Sequence, residues 1–426
     1  MNRRERILAA IAHREPDRVP VDLGSTPSSG ISAIAYNRVK QHLGLRHGHT
    51  RVYDVVQQLA EPEEDILDRY GIDVVDVGRT FHRERGAWYD VNLFDGSRAE
   101  YPVWFRPTAT PEGGWIALHA DGTAIAVQLK DMNFFDQTCF PWLDEYPADF
   151  AGLPAAMGKV HWAALAHSPW DAAGPRDFWS QLRANAIRLR ASTDRAIMVV
   201  VGCNLFEWGT FLRRMDNFLM DLLTEPEQVE RLLDALVEIH LETLRKVCAA
   251  VGDVVDVCRF GDDLGTETGP FMAPATYCTL FKPRHTVLCD FVHRHSSMHT
   301  FLHSCGSIYA LLPDLIEAGF EIINPVQTAC RDMDPARLKA SFGKDITFWG
   351  GGCDTRSVLN HGTPAQVRDD VRRRIEILAP GGGFVFNTIH NILPDVPPEN
   401  IEAMFEAVAE YGVLTPAFAD GVPTGS

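Results

Sequence analysis

The chain is predicted to fold as an α/β protein, a (β/α)8 TIM-type barrel carrying an irregular β/loop insertion, and three features of the sequence carry that expectation. First, from about Ser180 onward, β-rich apolar runs (AIMVVV, DVVDVC, EIINPV, ITFWG, FVFNTI) alternate with helical stretches. That alternation is the mark of parallel βαβ units. Second, the runs are almost continuously apolar, as strands covered on both faces must be. Third, polar and glycine residues follow the runs directly: Gly261-Asp262-Asp263, Ser304-Cys305-Gly306, Gln327, Gly351-Gly352-Cys353-Asp354 and His390-Asn391. They would cluster at the C-terminal ends of the strands, where barrel active sites sit. An open doubly wound sheet is disfavoured, because no glycine-rich turn follows the first strand.

The elements are expected in the following order. Asn2 to His13 reads as a helix that stops before Glu15-Pro16, and Val19 to Leu23 as a short strand. Ser25 to Gly30 is a small-residue loop. Ile31 to Leu43 and Asp54 to Tyr70 read as helices, and Ile72 to Val77 as a strand. From about residue 79 to 195 the chain is rich in Trp, Phe, Pro and Gly, with short β-like runs at Trp115 to Leu118 and Ala124 to Leu129. This stretch is the expected insertion of hairpins, loops and short helices. Its aromatics Trp88, Trp104, Trp115, Phe134, Phe135, Phe140 and Trp142 would either cover a pocket or, the commoner use, pack the insertion onto the barrel.

A helix up to Thr193 leads to strand Ala196 to Val201. Glu225 to Val251 is a long helical region opening with Glu-Pro. Strand Val254 to Phe260, helix Pro274 to His293, strand His299 to His303, helix Ile308 to Ala318 and strand Glu321 to Pro325 follow. Helix Pro335 to Phe342, strand Ile346 to Gly350, helix Pro364 to Leu378 and strand Phe384 to Thr388 continue the pattern, and helix Pro398 to Tyr411 closes it. The tail Asp420 to Ser426 reads as mobile.

Bulk properties limit the function. Of 426 residues, 46% are hydrophobic and 23% charged, ordinary values for a soluble protein with a large core. The length alone would suggest two or three domains, but a barrel with insertions absorbs 1–426 as one. A formal net charge of -17 repels phosphate backbones and anionic lipid, so neither nucleic acid nor membrane is an expected partner. The opening MNRRERILAAIAHREPDRVP lacks the apolar core of a signal peptide, and no stretch approaches a membrane span. The nine cysteines are odd in number and scattered, without a CxxC, which suits a reducing compartment and a cytoplasmic location.

The sharpest local pattern is His303-Ser304-Cys305. Residues i and i+2 of a strand share a face, so the imidazole and the thiol can meet one spot. Cys353 ends the second strand downstream and would reach the same barrel mouth. One imidazole and two thiolates form a partial zinc shell with an open position, the catalytic arrangement. A thiol bound there would lose its proton and become a nucleophile suited to methyl transfer. The same residues also fit a core histidine beside core thiols.

Asp262 and Asp263 could handle a proton or orient a substrate, or could serve as a loop and cap pair. His390, a candidate catalytic residue, and Asn391 could line the pocket or donate to a substrate oxygen, or His390 could be a satisfied loop histidine. Gln327 would hydrogen-bond near the metal, and Glu207 would offer a further oxygen from a strand end. Gly381-Gly382-Gly383 lacks a Lys-Ser continuation and is a turn, not a phosphate loop.

The runs FLHSCGSIYALLPDLIEAGFEIINPVQTA, GDDLGTETGPFMAPATYCTLFKPRH, DITFWGGGCDT, GGGFVFNTIHNILPDVPPENIEAMFEA and RRERILAAIAHREPDRVPVDLG resemble segments of the uroporphyrinogen-decarboxylase superfamily. They look most like its cobalamin-dependent (corrinoid) methyltransferase branch. The resemblance implies a (β/α)8 barrel, zinc held at the positions of His303, Cys305 and Cys353, and a separate corrinoid-binding protein as partner. It further implies a small-molecule methyl donor or acceptor. The family's acidic residue near the metal falls at Val326 or Gln327, a departure that leaves the fourth ligand open. The decarboxylase branch typically carries an arginine-rich segment resembling RQAGRY near its start, where this chain reads VDLGSTPSSGISAIAYNR. The expected function is therefore zinc-assisted methyl transfer. A cofactor-independent decarboxylase-like lyase, with Asp262 or Asp263 handling the proton, and a non-catalytic tetrapyrrole or corrinoid binder are the alternatives.

Overall fold

The computed structural model describes residues 1–414, so the expectation for Asp420 to Ser426 lies outside the described residues. Seven strands form one curled, all-parallel sheet in chain order: β1 (Val74–Asp76), β2 (Ala196–Gly202), β3 (Val257–Gly261), β4 (His299–His303), β5 (Ile322–Asn324), β6 (Thr347–Trp349) and β7 (Phe384–Val385). The segment around Val21 spans the gap between the two edge strands. Asp22 N–H donates to Phe386 C=O (2.8 Å), Phe386 N–H to Pro20 C=O (2.8 Å), and Asp73 N–H to Val21 C=O (2.8 Å). The arrangement is consistent with a TIM-type barrel.

The alternation of side chains along the strands builds the interior. Val74, Ala196, Met198, Val257, Phe301, Ile322, Trp349 and Val385 form one buried cluster, separate from the larger core under the helices. Helix α1 (Arg3–Ile11), started by an Asn2–Glu5 capping box, adds Ile7, Ala10 and Ile11 to that cluster. Its Arg4 N–H reaches Asp194 C=O and its Ala10 C=O receives Gly383 N–H, so it covers the N-terminal ends of β2 and β7. With one end stoppered, access to the interior lies at the C-terminal ends. The period of 2 that puts Val257 and Phe301 inward also turns Arg259 and His303 inward, one step nearer the mouth.

Three later helices matter for the mouth: α2 (Phe206–Arg213), α3 (Pro226–Val251) and α4 (Pro364–Leu378). The last two match their expected bounds to within a residue, and α2 was not foreseen. Between β1 and β2 the chain builds two small antiparallel sheets, one pairing Trp88–Asn92 with Arg98–Pro102 and one of four short strands within 108–137. Of the aromatics expected either to cover a pocket or to pack, Phe135 is fully buried and meets Phe105 edge-on at 5.5 Å.

The expected helix Asp54 to Tyr70 does not form as such. Asp54 instead caps a turn by accepting from Gln57 N–H (2.9 Å), and Leu59–Ala60 pairs with Ile31–Ser32. Pro62 cannot donate and biases Glu61 away from helix, so only Glu64–Arg69 remains helical.

Asp73 ties the start of the sheet together. Its buried carboxylate meets Arg6 of α1 at 2.7 Å, meets both terminal nitrogens of Arg18 at 2.8 and 2.9 Å, and accepts from Val21 N–H at 2.9 Å. Removing one member strands buried charges, which typically costs about 3–5 kcal/mol. Asp73→Ala should lower the unfolding free energy by about that amount in urea titration. An unchanged urea midpoint would contradict this role.

Candidate functional site

At the C-terminal mouth, β4 ends in His303 and the chain continues to Cys305. Ligand atoms of His303, Cys305 and His390 all lie within 4.8 Å of one another. Cys305 Sγ is 3.5 Å from His303 Nε2, and Asp263 Oδ1 lies 3.5 Å from the same nitrogen. Asp263 Oδ1 also accepts the Cys305 backbone N–H at 2.8 Å, which fixes the turn carrying the thiol. Gly306 follows at φ +89°, where a Cβ would come within 2.3 Å of the Gly265 backbone, so only glycine lets the two strand-end loops meet here.

One amide sets the protonation of His303. Asn324 Nδ2 donates to Trp349 C=O (2.8 Å), a group that can only accept, so its Oδ1 must be the atom facing His303. That oxygen accepts from Ser28 Oγ–H (2.8 Å) and from His303 Nδ1–H (2.7 Å). The proton therefore sits on Nδ1, and Nε2 presents a bare lone pair towards Cys305 and Asp263. Burial, followed by the charge of Arg259, pushes His303 down to about 3, so the ring is neutral at physiological pH. Burial likewise lowers His390. The bare Nε2 of His303, the neutral His390 imidazole and the Cys305 sulfur thus converge, with Asp263 Oδ1 beside His303. That donor set fits a borderline-soft cation such as zinc.

The group opens onto a cavity of about 390 Å³. Pro27 and Ser28 lie on one side, Val200 and Gly202 of β2 and the first turns of α2 on another, and Trp162, Trp170, Trp208 and Phe211 supply an aromatic wall. Trp170 is pinned by donation from Nε1 to Val200 C=O (2.5 Å). Glu207 and Arg259 complete the polar end. Burial, then the neighbouring Asp263 and Asp262, push the Glu207 carboxyl well above the usual range, and Asn204 Nδ2 donates to it.

The expected site residues separate into distinct places. His303, Cys305 and His390 form the donor group, and Asp263, Glu207, His303 and His390 line the cavity. Cys353 is not in the donor group, and His390 occupies the third position in its stead. Cys353 is fully buried, among Asp370 and Arg374 of α4 and Asp354, and burial pushes its thiol well up. Asp262 is also fully buried and does not line the cavity. It accepts the N–H groups of Leu205 (3.1 Å), Phe206 (2.9 Å) and Glu207 (2.8 Å), capping α2 from a neighbouring strand end. Gln327 accepts from Gly306 N–H at 2.6 Å and so braces the Cys305 turn. Asn391 donates to Gln57 at 2.9 Å beside His390.

Two participants escaped sequence reading. Arg259 could have been found as the single cation in the apolar run before Gly261, at an inward register. Trp162, Trp170, Trp208 and Phe211 form the cavity wall instead of the earlier aromatics, none of which lines it.

A parallel sheet with a His/Cys donor group at its C-terminal mouth defines an α/β protein with a candidate metal site in the barrel position. Comparison with known proteins narrows the class. Residues 203–411 match the uroporphyrinogen decarboxylase (URO-D) family. Among curated relatives, a uroporphyrinogen decarboxylase from Methylococcus capsulatus is 41% identical over 107 residues, covering 25% of this chain and 28% of the relative. The methylcobamide:CoM methyltransferase MtaA of Methanosarcina barkeri is 26% identical over 202 residues, covering 46% of this chain and 52% of the relative. The chain thus spans between about a quarter and a half of these two relatives' lengths. A methyltransferase from Methanosarcina mazei superposes with a TM-score of 0.57 over 96% of this chain and 99% of the other, at 17% identity, and so shares the fold. These matches make residues 203–411 similar to the uroporphyrinogen decarboxylase family, and the chain is similar in sequence to a methyltransferase as well.

The buried Asp262 carboxylate is the N-terminal anchor of α2. Asp262→Ala leaves three helix N–H groups without a partner and should destabilise the protein by at least about 2 kcal/mol in urea or thermal unfolding. Unaltered stability with lost activity would assign Asp262 to the chemistry instead.

Proposed function

We propose that this protein is a zinc-dependent methyltransferase that moves a methyl group between a small methyl donor or thiol acceptor and a corrinoid carried on a partner protein. The observation that carries this reading is the convergence of His303, Cys305 and His390 at the barrel mouth, with the free lone pair of His303 fixed by Asn324. The printed name of the Methanosarcina barkeri relative, a methylcobamide:CoM methyltransferase, supports the corrinoid side of the proposal. The metal set proposed is His303, Cys305 and His390, revised from the sequence expectation of Cys353.

Zinc, when bound, supplies the Lewis acidity that keeps a thiol as thiolate or polarises the heteroatom of a methyl donor. The chain's own residues do the rest. Asn324 holds the His303 ring in the ligating tautomer. Asp263 and Gln327 hold the turn that presents Cys305. Glu207, kept protonated by burial, can give its proton to the heteroatom that has lost a methyl group. The aromatic wall excludes water from the reacting groups.

The cavity also argues against the decarboxylase alternative. Arg259 is the single Lys or Arg among its lining residues, so a tetrapyrrole bearing many carboxylates would find one partner. The described residues include no helix long and apolar enough to cross a membrane. All nine cysteines are free, and we place the protein in the reducing cytoplasm.

Elemental analysis of purified protein should find about one zinc per chain. Cys305→Ser and His390→Ala should each lose it together with methyl transfer to or from a methylated corrinoid. Full activity after chelation, or metal retained in Cys305→Ser, would overturn the proposal.

A further inference from the structure

Arg259 faces the cavity without a hydrogen-bond partner for its Nε among the described residues. It lies in β3, in register with Phe301, one inward step below the Gly261–His303 pair, and it faces the cavity. A guanidinium carries five N–H donors and stays charged in proteins. Yet Arg259 takes part in no ion pair within 4.0 Å among the described residues, and its Nε is shielded from solvent with no hydrogen-bond partner. The carboxylates whose charge acts on it, Glu207 and Asp263, form no ion pair with it within 4.0 Å; Glu207 receives Asn204 Nδ2–H, and Asp263 receives Cys305 N–H. A guanidinium drawn partly out of water without a partner is costly, and such charges are ordinarily paired. A planar, unspent fork at the polar end of a ligand-sized cavity is what two carboxylate oxygens complete.

The opposite wall fixes the rest of the ligand. Trp208 and Phe211 meet edge-on with centroids 5.8 Å apart, Phe211 meets Trp162 at 6.4 Å, and Trp170 is held by its indole N–H. Such a wall favours a flat, apolar body. A volume of about 390 Å³ suits a small molecule of one ring with short substituents.

We propose that the cavity takes a small aromatic carboxylate, with its carboxylate paired to Arg259 and its ring against Trp162, Trp170, Trp208 and Phe211. This rests on the reading of the cavity as the methyl-donor site, and it makes Arg259 a specificity-determining residue. It does not depend on metal being bound.

The test uses the full chain and measures equilibrium binding by calorimetry, with no turnover required. The probes are 4-methoxybenzoate and its neutral counterpart 4-methoxybenzamide. The acid should bind wild-type protein at least about 30-fold more tightly than the amide, as expected for a buried charge pair. In Arg259→Met the acid should fall to the amide's affinity while the amide's own affinity is unchanged, which also shows that the cavity still folds. Equal binding of acid and amide to wild type, a preference that survives Arg259→Met, or no binding of the acid at millimolar concentration would each overturn the proposal. The same titration on wild-type protein offered zinc under reducing conditions separates the two readings. A preference for the acid in protein that never holds metal supports the Arg259 anchor while sinking zinc-dependent methyl transfer. Metal-loaded protein with no such preference does the reverse.

Discussion

The side chain of Asn324 is the interaction on which the site depends. Its amide nitrogen is committed to the Trp349 carbonyl of β6, and its oxygen is shared by Ser28 of the first loop and His303 of β4. Trp349 is in turn fixed by donating from Nε1 to Asp22 at 2.9 Å, within the segment that bridges the edges of the sheet. Closure of the sheet, the packing of its interior and the tautomer of His303 therefore belong to one hydrogen-bonded chain. An error at any link would turn the His303 ring or move its proton, and the lone pair would no longer meet Cys305.

Charge is distributed to the same end. The protein is strongly acidic overall, and its cavity gathers carboxylates, neutral imidazoles and a lone guanidinium at one polar end. The electron-pair donors suit a cation and the arginine suits an organic anion. A ligand held at one would be presented to the other, which is how a barrel mouth turns binding energy into orientation.

Much of this was legible in the sequence because it is local. The His303-Ser304-Cys305 spacing, the parallel βαβ rhythm and the bounds of Pro335–Phe342, Pro364–Leu378 and Pro398–Tyr411 all follow from period and capping within a few residues. What escaped is non-local. Helix Phe206–Arg213 has its cap supplied by Asp262, more than fifty residues later, so no start signal stands beside it. The third member of the donor group turned on which face of the strand-end loops points inward. Cys353 follows three successive glycines, where strand alternation no longer predicts direction, and its thiol lies on the helix side. The sequence marks His390 as a candidate catalytic or pocket residue, and only the folded mouth brings it to His303 and Cys305. Arg259 sat in plain view inside an apolar run, and its register with Phe301 is what gives it meaning.

The most direct test of the account is zinc K-edge X-ray absorption of the zinc-loaded protein. The account predicts one sulfur at about 2.3 Å and two imidazole nitrogens at about 2.0–2.1 Å, from Cys305, His303 and His390. A shell with two sulfurs would bring Cys353 back to the metal and contradict the site described here.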